Sequence, residues 1–161
     1  MFVRKSEMKD LDNILKIYEY ARNQMKLNGN PTQWGDNKPT RETIINDINN
    51  GQSYVIEEDG KLYGVFAFII GEDSTYQVID GNWLNDEIYG TIHRVASNGK
   101  KNDILKCCID FCETQINNIK IDTHHNNKIM QHLVKKYGFL ECGIIYVEDN
   151  TPRIAYQKLI K

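Results

Sequence analysis

The sequence lacks several features that would assign it to a functional class directly. No apolar run reaches the roughly 20 residues needed to span a bilayer, and the N-terminus MFVRKSEMKD is charged throughout, unlike a secretory signal. No dense basic run is present, since 20 Lys and Arg are offset by 22 Asp and Glu. This balance argues against a protein that binds a nucleic-acid backbone. We therefore expect a cytoplasmic protein that binds neither membranes nor nucleic acid.

Metal-site and nucleotide-site motifs are also missing. The four cysteines and four histidines form no Cys-x2-Cys pair and no His-x3-His pair, so no metal site is expected. Three cysteines lie in one predicted helix, where reduced, partly buried thiols explain them better than disulfides do: Cys107, Cys108 and Cys112. The segment NGKKND lacks the leading glycine and the Ser or Thr after Lys of a nucleotide P-loop.

What is present fits a single mixed α/β domain over residues 1–161. The chain has 161 residues, of which 40% are hydrophobic, as expected for one globular core. Apolar periodicity predicts the element order β-α-α-β-β-β-α-β-α-β-β. The predicted strands lie in 2–7, 54–57, 62–70, 89–97, 118–124, FLECGIIYVED and RIAYQKLI, and the predicted helices in 10–27, RETIINDINN, 103–116 and NNKIMQHLVKKYG. We expect Ser6 to cap the first helix, Asp59-Gly60 to form a hairpin turn and Gly138 to end the last helix.

The stretch IHRVASNGKKNDILKCC runs from a strand through a short basic turn into a helix. A helix start offers unpaired N–H groups and the positive end of a dipole, so this position suits an anion. The turn contains only one glycine, Gly99, and Asp103 lies where an anion would bind. Two interpretations stay open: a modified phosphate-binding turn, or an ordinary connection in which Asn102 or Asp103 caps the helix.

The element order, with the segments IHRVAS, IKIDTHHNNKIMQHLVKKYGF and CGIIYVED, resembles the GNAT superfamily of N-acetyltransferases over essentially the whole chain. The pair QW before the second helix and PRIAYQK at the end are similar to a bacterial subgroup. The resemblance implies a central mixed, mostly antiparallel sheet with one parallel pair, flanked by helices. It also implies transfer of an acetyl group from acetyl-CoA to a primary amine of a small molecule or peptide, without a metal. The amine would attack directly in a ternary complex. A homodimer is left open.

The resemblance further implies a cofactor cleft between the strands 89–97 and 118–124. The pantetheine arm would contact 94–96, and the pyrophosphate would lie on amides of about 101–106. The turn departs from the family pattern, because it is shorter and lacks a second glycine, so lysines would supply the positive charge. The cofactor-binding residues expected on this basis are Arg94, Val95, Ala96, Lys100, Lys101, Asn102, Asp103, Ile104, Asn127 and Met130.

The expected chemistry is incomplete in one respect. The family's usual proton-donating tyrosine corresponds to Val134, which cannot donate a proton. His93 could accept the proton of the attacking amine, or it could be an ordinary half-buried sheet histidine. Five residues are candidates for the acceptor side: Trp34, Trp83, Thr123, His124 and Tyr146. Trp34 and Trp83 could instead anchor their loops, and His124 could be a solvated loop residue. The short turn and the absent tyrosine favour a second hypothesis, a catalytically silent GNAT-like domain that binds an acyl-CoA or a protein partner as a sensor.

Overall fold

The computed structural model describes residues 1–161 as four α-helices and eight β-strands. The helices are α1 (Leu11–Leu27), α2 (Arg41–Asn49), α3 (Ile104–Gln115) and α4 (Lys128–Lys136). The strands are β1 (Phe2–Lys5), β2 (Ser53–Glu58), β3 (Lys61–Ile70), β4 (Asp80–Gly81), β5 (Gly90–Ser97), β6 (Asn118–Thr123), β7 (Leu140–Tyr146) and β8 (Pro152–Leu159). Short 3-10 turns occupy Met8–Asp10 and Ser74–Tyr76. No helix is both long and apolar enough to cross a membrane.

The strands follow the order β1-β2-β3-β5-β6-β8-β7-β4 in a mixed sheet. The β5–β6 pair is parallel, while β1–β2, β2–β3, β6–β8, β7–β8 and β4–β7 are antiparallel. The expected fold, a mostly antiparallel mixed sheet with one parallel pair and flanking helices, is therefore confirmed.

The predicted element order was wrong in one place, because it omitted β4. This strand has two residues, too few to produce a hydrophobic period, and it forms through backbone proximity alone. A Cβ atom on Gly81 would lie 2.2 Å from the carbonyl oxygen of Cys142, and one on Gly143 would lie 2.3 Å from that of Asp80. The close approach of β4 and β7 thus requires glycine on both strands.

The chain divides into two compact units, and the first comprises Met1–Phe68 and His93–Phe111. The apolar period of α1 buries one face of the helix in a cluster formed by Leu11, Ile14, Ile17, Tyr18, Ile44, Ile48, Val55, Val65 and Ala96. The predicted hairpin turn is confirmed, with φ of 52° at Asp59 and 77° at Gly60. The prediction for Ser6 was wrong: its hydroxyl is buried and shares a 2.8 Å hydrogen bond with that of Ser53.

The second unit comprises Ile69–Ile92 and Cys112–Lys161. It contains a small buried cluster made of Tyr76, Tyr89, Ile145 of β7 and Ala155 of β8. Asn127 caps α4 by accepting a 3.1 Å hydrogen bond from the amide of Met130, and Gly138, with a φ of 95°, follows the helix end as predicted.

Candidate functional site

Arg94 interrupts the regular conformation of β5. Its φ is 54°, in the left-handed region that a residue with a bulky side chain rarely adopts. The guanidinium forms a bidentate pair with Asp47 of α2, at 2.9 Å and 2.8 Å, and the hydroxyl of Tyr18 donates to the Arg94 carbonyl oxygen at 2.8 Å. The unusual backbone is thus held from two sides. Because φ at Arg94 orients the peptide groups that follow, the clamp helps to fix where the amides of residues 95 and 96 point.

The turn after β5 is stabilised by its own side chains. The Ser97 hydroxyl accepts from the Gly99 amide at 3.0 Å, and the Asn98 carboxamide accepts from the Lys100 amide at 3.0 Å. Gly99 has a φ of 75°, and a Cβ there would lie 2.3 Å from the hydroxyl of Tyr20. The conformation therefore favours the single glycine of this turn, whereas the exposed Tyr20 side chain could move to make space.

The residues after Gly99 leave a run of amides open at the start of α3. The Cys107 amide donates to the Asp103 carbonyl at 2.9 Å, but the amides of 101–105 are hydrogen-bonded to no group of the protein. Lys101 forms an ion pair with Glu58 and lies 5.0 Å from the centre of the Tyr63 ring, whereas Lys100 is exposed. Asn102 and Asp103 are exposed, and Asp103 has a φ of 65°.

Other predicted residues of the first unit lie in the core or at its edge. Ala96 and Ile104 have buried side chains, so only their backbone groups are available for a ligand. His93 and Val95 are half-buried. Trp34 packs against the core cluster with its ring edge-on to Tyr18, at 5.7 Å between centroids. Trp34 therefore anchors its loop to the core, and its role toward an acceptor stays a prediction.

In the second unit, Thr123 and His124 lie at the carboxyl end of β6. His124 accepts a 3.0 Å hydrogen bond on Nδ1 from the Asn126 amide, and its ring stacks on that of His125 at 4.3 Å. Burial, with smaller effects from Arg153 and His125, lowers the pKa of His124. Thr123 is 1% exposed, and its hydroxyl has no hydrogen-bond partner.

A second buried hydroxyl without a partner lies on the neighbouring strand. Tyr156 of β8 is opposite Ile121 of β6, two residues from Thr123. Its phenol is 0% exposed and unpartnered, and burial raises its pKa to about 12. Two orphaned hydroxyls this close in the β6–β8 register are unusual for a protein interior. Tyr146, also predicted, is exposed near the end of β7, and Val134 is fully buried on α4.

Trp83 lines a cavity that the sequence did not predict. Its indole N–H donates to the carbonyl of Tyr76 at 2.9 Å, and its ring faces Lys120 of β6. The cavity has a volume of about 590 Å³ and is lined mainly by the 71–89 segment together with Lys120. Lys120 is 4% exposed, with its ammonium 3.9 Å from the Trp83 ring centre and 3.7 Å from that of Tyr89. The alternating pattern of NIKIDT places Asn118, Lys120 and Asp122 on one face of the strand. This pattern is the sequence signal that could have pointed to Lys120.

Comparison with solved structures identifies the family. The chain is similar to a GNAT-family acetyltransferase from Streptococcus agalactiae, with 32% identity and a TM-score of 0.90 over 99% of this chain and 95% of the other. A GNAT-family acetyltransferase from Listeria monocytogenes has 20% identity and a TM-score of 0.73 over 99% of this chain and 94% of the other. A ribosomal-protein-alanine N-acetyltransferase from Brucella melitensis has 15% identity and a TM-score of 0.63 over 99% and 100%. The last two show the fold alone.

No family model matches the sequence, and no curated protein matches it either. The likeness to the streptococcal protein nevertheless exceeds a shared fold, since it combines 32% identity with nearly full coverage of both chains. The strand–turn–helix unit of β5 and α3 also lies in the expected place in the element order. The protein therefore belongs to the GNAT family of acetyltransferases.

Proposed function

We propose that the protein transfers an acetyl group from acetyl-CoA to a primary amine of a small molecule or peptide, by direct attack of the amine. Family membership supports acyl transfer. The observation that carries the finer proposal is the run of open amides at 101–105, ahead of a 12-residue helix. Backbone N–H groups at a helix start, reinforced by the helix dipole, form a favourable site for a diphosphate.

The residues present fit acetyl-CoA. The amides of 101–105 lack acceptors, and Lys100 is exposed beside them, so both can contact phosphate oxygens. Lys101 is already paired with Glu58, which makes Lys100 the main source of positive charge. In the second unit, Asn127 and Met130 remain predicted contacts of the cofactor arm.

Acetyl-CoA, when bound, supplies a thioester whose carbonyl carbon is open to attack by an amine. The amides of 94–96 are proposed to donate hydrogen bonds to the oxygen on which negative charge develops, and the Arg94 clamp keeps them fixed. His93 is proposed to take the proton from the amine, directly or through water. The chain has no proton donor at Val134, so the sensor hypothesis is the competing explanation of this site.

The cofactor site is tested by thermal-shift titration with acetyl-CoA, because a ligand that binds only the native state raises Tm. We expect Lys100→Glu to weaken binding and Asp103→Asn to strengthen it, each by about 2–5-fold, since a charge near a helix start contributes about 0.3–1 kcal/mol. Lys16→Glu, an exposed α1 lysine, is the matched control and should leave the affinity unchanged. Absence of any shift at millimolar acetyl-CoA contradicts the proposal.

Catalysis is tested separately, by thiol release with a panel of primary amines. Turnover supports the transferase, and acetyl-CoA binding without turnover on any amine supports the sensor instead. We expect His93→Ala and His93→Gln to lower the rate about 100-fold or more, the usual contribution of a general base. A His93→Ala variant with full activity across the pH range would remove His93 as the base.

A further inference from the structure

We propose that the cavity lined by the 71–89 segment and Lys120 binds a small molecule that carries both a carboxylate and an ammonium group, as a free amino acid does. This binding stands independently of the proposed function. Every residue that lines the cavity belongs to the second unit.

Lys120 provides the first part of the argument. Its ammonium lies against the faces of Trp83 and Tyr89, and it has neither a hydrogen-bond acceptor nor an ion-pair partner. A buried charge is normally paired, and ring faces do not replace the acceptors that three N–H donors require. Burial accordingly lowers the pKa of this lysine, while Cys142, Asp86 and Glu72 act in the opposite direction. A carboxylate entering the cavity would supply the missing acceptor.

Thr91, next to Lys120 in the sheet, also has an unsatisfied polar group, although it does not line the cavity. It is paired with Lys120 in the parallel β5–β6 register, and its buried hydroxyl has no hydrogen-bond partner. The Lys120 ammonium is therefore the unsatisfied donor that a cavity ligand with acceptor oxygens would reach.

The lining of the cavity also carries the opposite charge. Glu72, Asp86 and Glu87 line the cavity and are exposed, and none of them forms an ion pair. These carboxylates favour a positively charged group near solvent, while Lys120 favours a negative group farther inside. A simple amine would leave Lys120 unpaired, and a simple carboxylic acid would face three negative charges. A zwitterion matches both signs.

The aromatic walls are fixed before any ligand binds. The Tyr76 hydroxyl donates to Asp122 at 2.6 Å, and the Tyr89 hydroxyl accepts from the Asp73 amide at 2.8 Å. The segment that carries the acidic residues is held from β8, where Gln157 accepts from the Leu84 amide at 2.8 Å. A volume of about 590 Å³ is in the range of small-molecule sites. A preformed cavity loses little free energy to ordering on binding.

The test begins with a thermal-shift screen of the free proteinogenic amino acids against the full chain. The best binder is then compared by calorimetry with its decarboxylated amine and its deaminated acid. We expect the amino acid to bind at least tenfold more tightly than either analogue. Lys120→Met should remove the preference for the amino acid over its decarboxylated amine. The double variant Asp86→Asn/Glu72→Gln should reduce the preference for the amino acid over its deaminated acid. Lys136→Met, an exposed lysine near the Tyr137 ring, is the matched control and should change neither.

A folding readout keeps the Lys120 experiment decisive. Replacing an unpaired buried charge by an apolar side chain of similar length should leave the ligand-free Tm unchanged or raise it. Failure of every amino acid to bind, or a Lys120→Met variant that keeps the preference for amino acid over amine, overturns the proposal. These results are separate from the acetyl-CoA titration: cofactor binding without amino-acid binding refutes only the cavity assignment.

Discussion

The clamp on Arg94 gives the most direct prediction for stability. Removing Asp47 leaves a guanidinium without its partner, and the pair is partly buried, with side-chain exposures of 24% for Arg94 and 10% for Asp47. Exposed pairs contribute less than about 1 kcal/mol and breaking buried ones costs about 3–5, so we expect Asp47→Ala to cost about 2 kcal/mol. For a chain of this size that lowers Tm by about 4–8 °C. Thermal unfolding followed by circular dichroism measures it.

A matched control separates the clamp from ordinary surface pairing. Asp36 forms an ion pair with Lys26 in the same unit, but its side chain is 89% exposed, so Asp36→Ala should leave Tm unchanged. If the Asp47→Ala variant has the same Tm as the Asp36→Ala variant, the clamp does not stabilise β5.

The strain at Arg94 can be measured in the same assay. Arg94→Ala and Arg94→Gly both remove the ion pair, but only glycine adopts the φ of 54° without steric cost. We expect the glycine variant to be more stable than the alanine variant by about 1 kcal/mol. Equal stabilities would show that the backbone of β5 relaxes once the side chain is gone.

Two further predictions concern other parts of the chain. Arg4 holds Asp10 by two 2.9 Å hydrogen bonds and lowers the pKa of that carboxyl; the stability this adds is present above pH ~4 and is lost as pH falls through the folded pKa. Asp10→Asn should therefore cost about 2 kcal/mol at neutral pH and progressively less below pH ~4, and a pH series of Tm values that keeps a constant gap would contradict this. Gly143→Ala should cost about 1–3 kcal/mol, because its Cβ would lie 2.3 Å from the Asp80 carbonyl oxygen. Gly29→Ala is the control, because Gly29 has a φ of 82° but a Cβ there would have no atom within 4 Å, so only backbone strain is added. It should lower the free energy of unfolding by less than Gly143→Ala does. Equal losses in denaturant titration would refute the close contact at Gly143.

Local signals in the sequence were sufficient for most elements. Asp59-Gly60 and Gly138 mark a turn and a helix end through their own backbone preferences, and the apolar period of α1 needs no distant partner. The two-residue strand β4 escaped prediction because its pairing depends on the backbone of β7, about 60 residues away in the chain.

The site was predicted less completely for a related reason. Arg94 was expected from the family resemblance, but its partner Asp47 lies 47 residues earlier and reads as an ordinary polar residue of a helix. Lys120 likewise reads as a polar residue of an alternating strand, and only the fold places it between Trp83 and Tyr89. Side-chain chemistry that depends on contacts across the chain is not encoded in local spacing.

The brevity of β4 has a consequence for behaviour in concentrated solution. It pairs with β7 only at Ile144 and Gly143, so the hydrogen-bonding edge of β7 continues past it in both directions, with Leu140 and Tyr146 exposed. An open edge of this kind is a template for strand addition by a second chain, and a short edge strand that blocks its middle keeps any such pairing out of register. We therefore expect Gly143→Ala, which displaces β4, to aggregate faster on heating than its loss of stability alone explains, with the rate rising steeply with protein concentration.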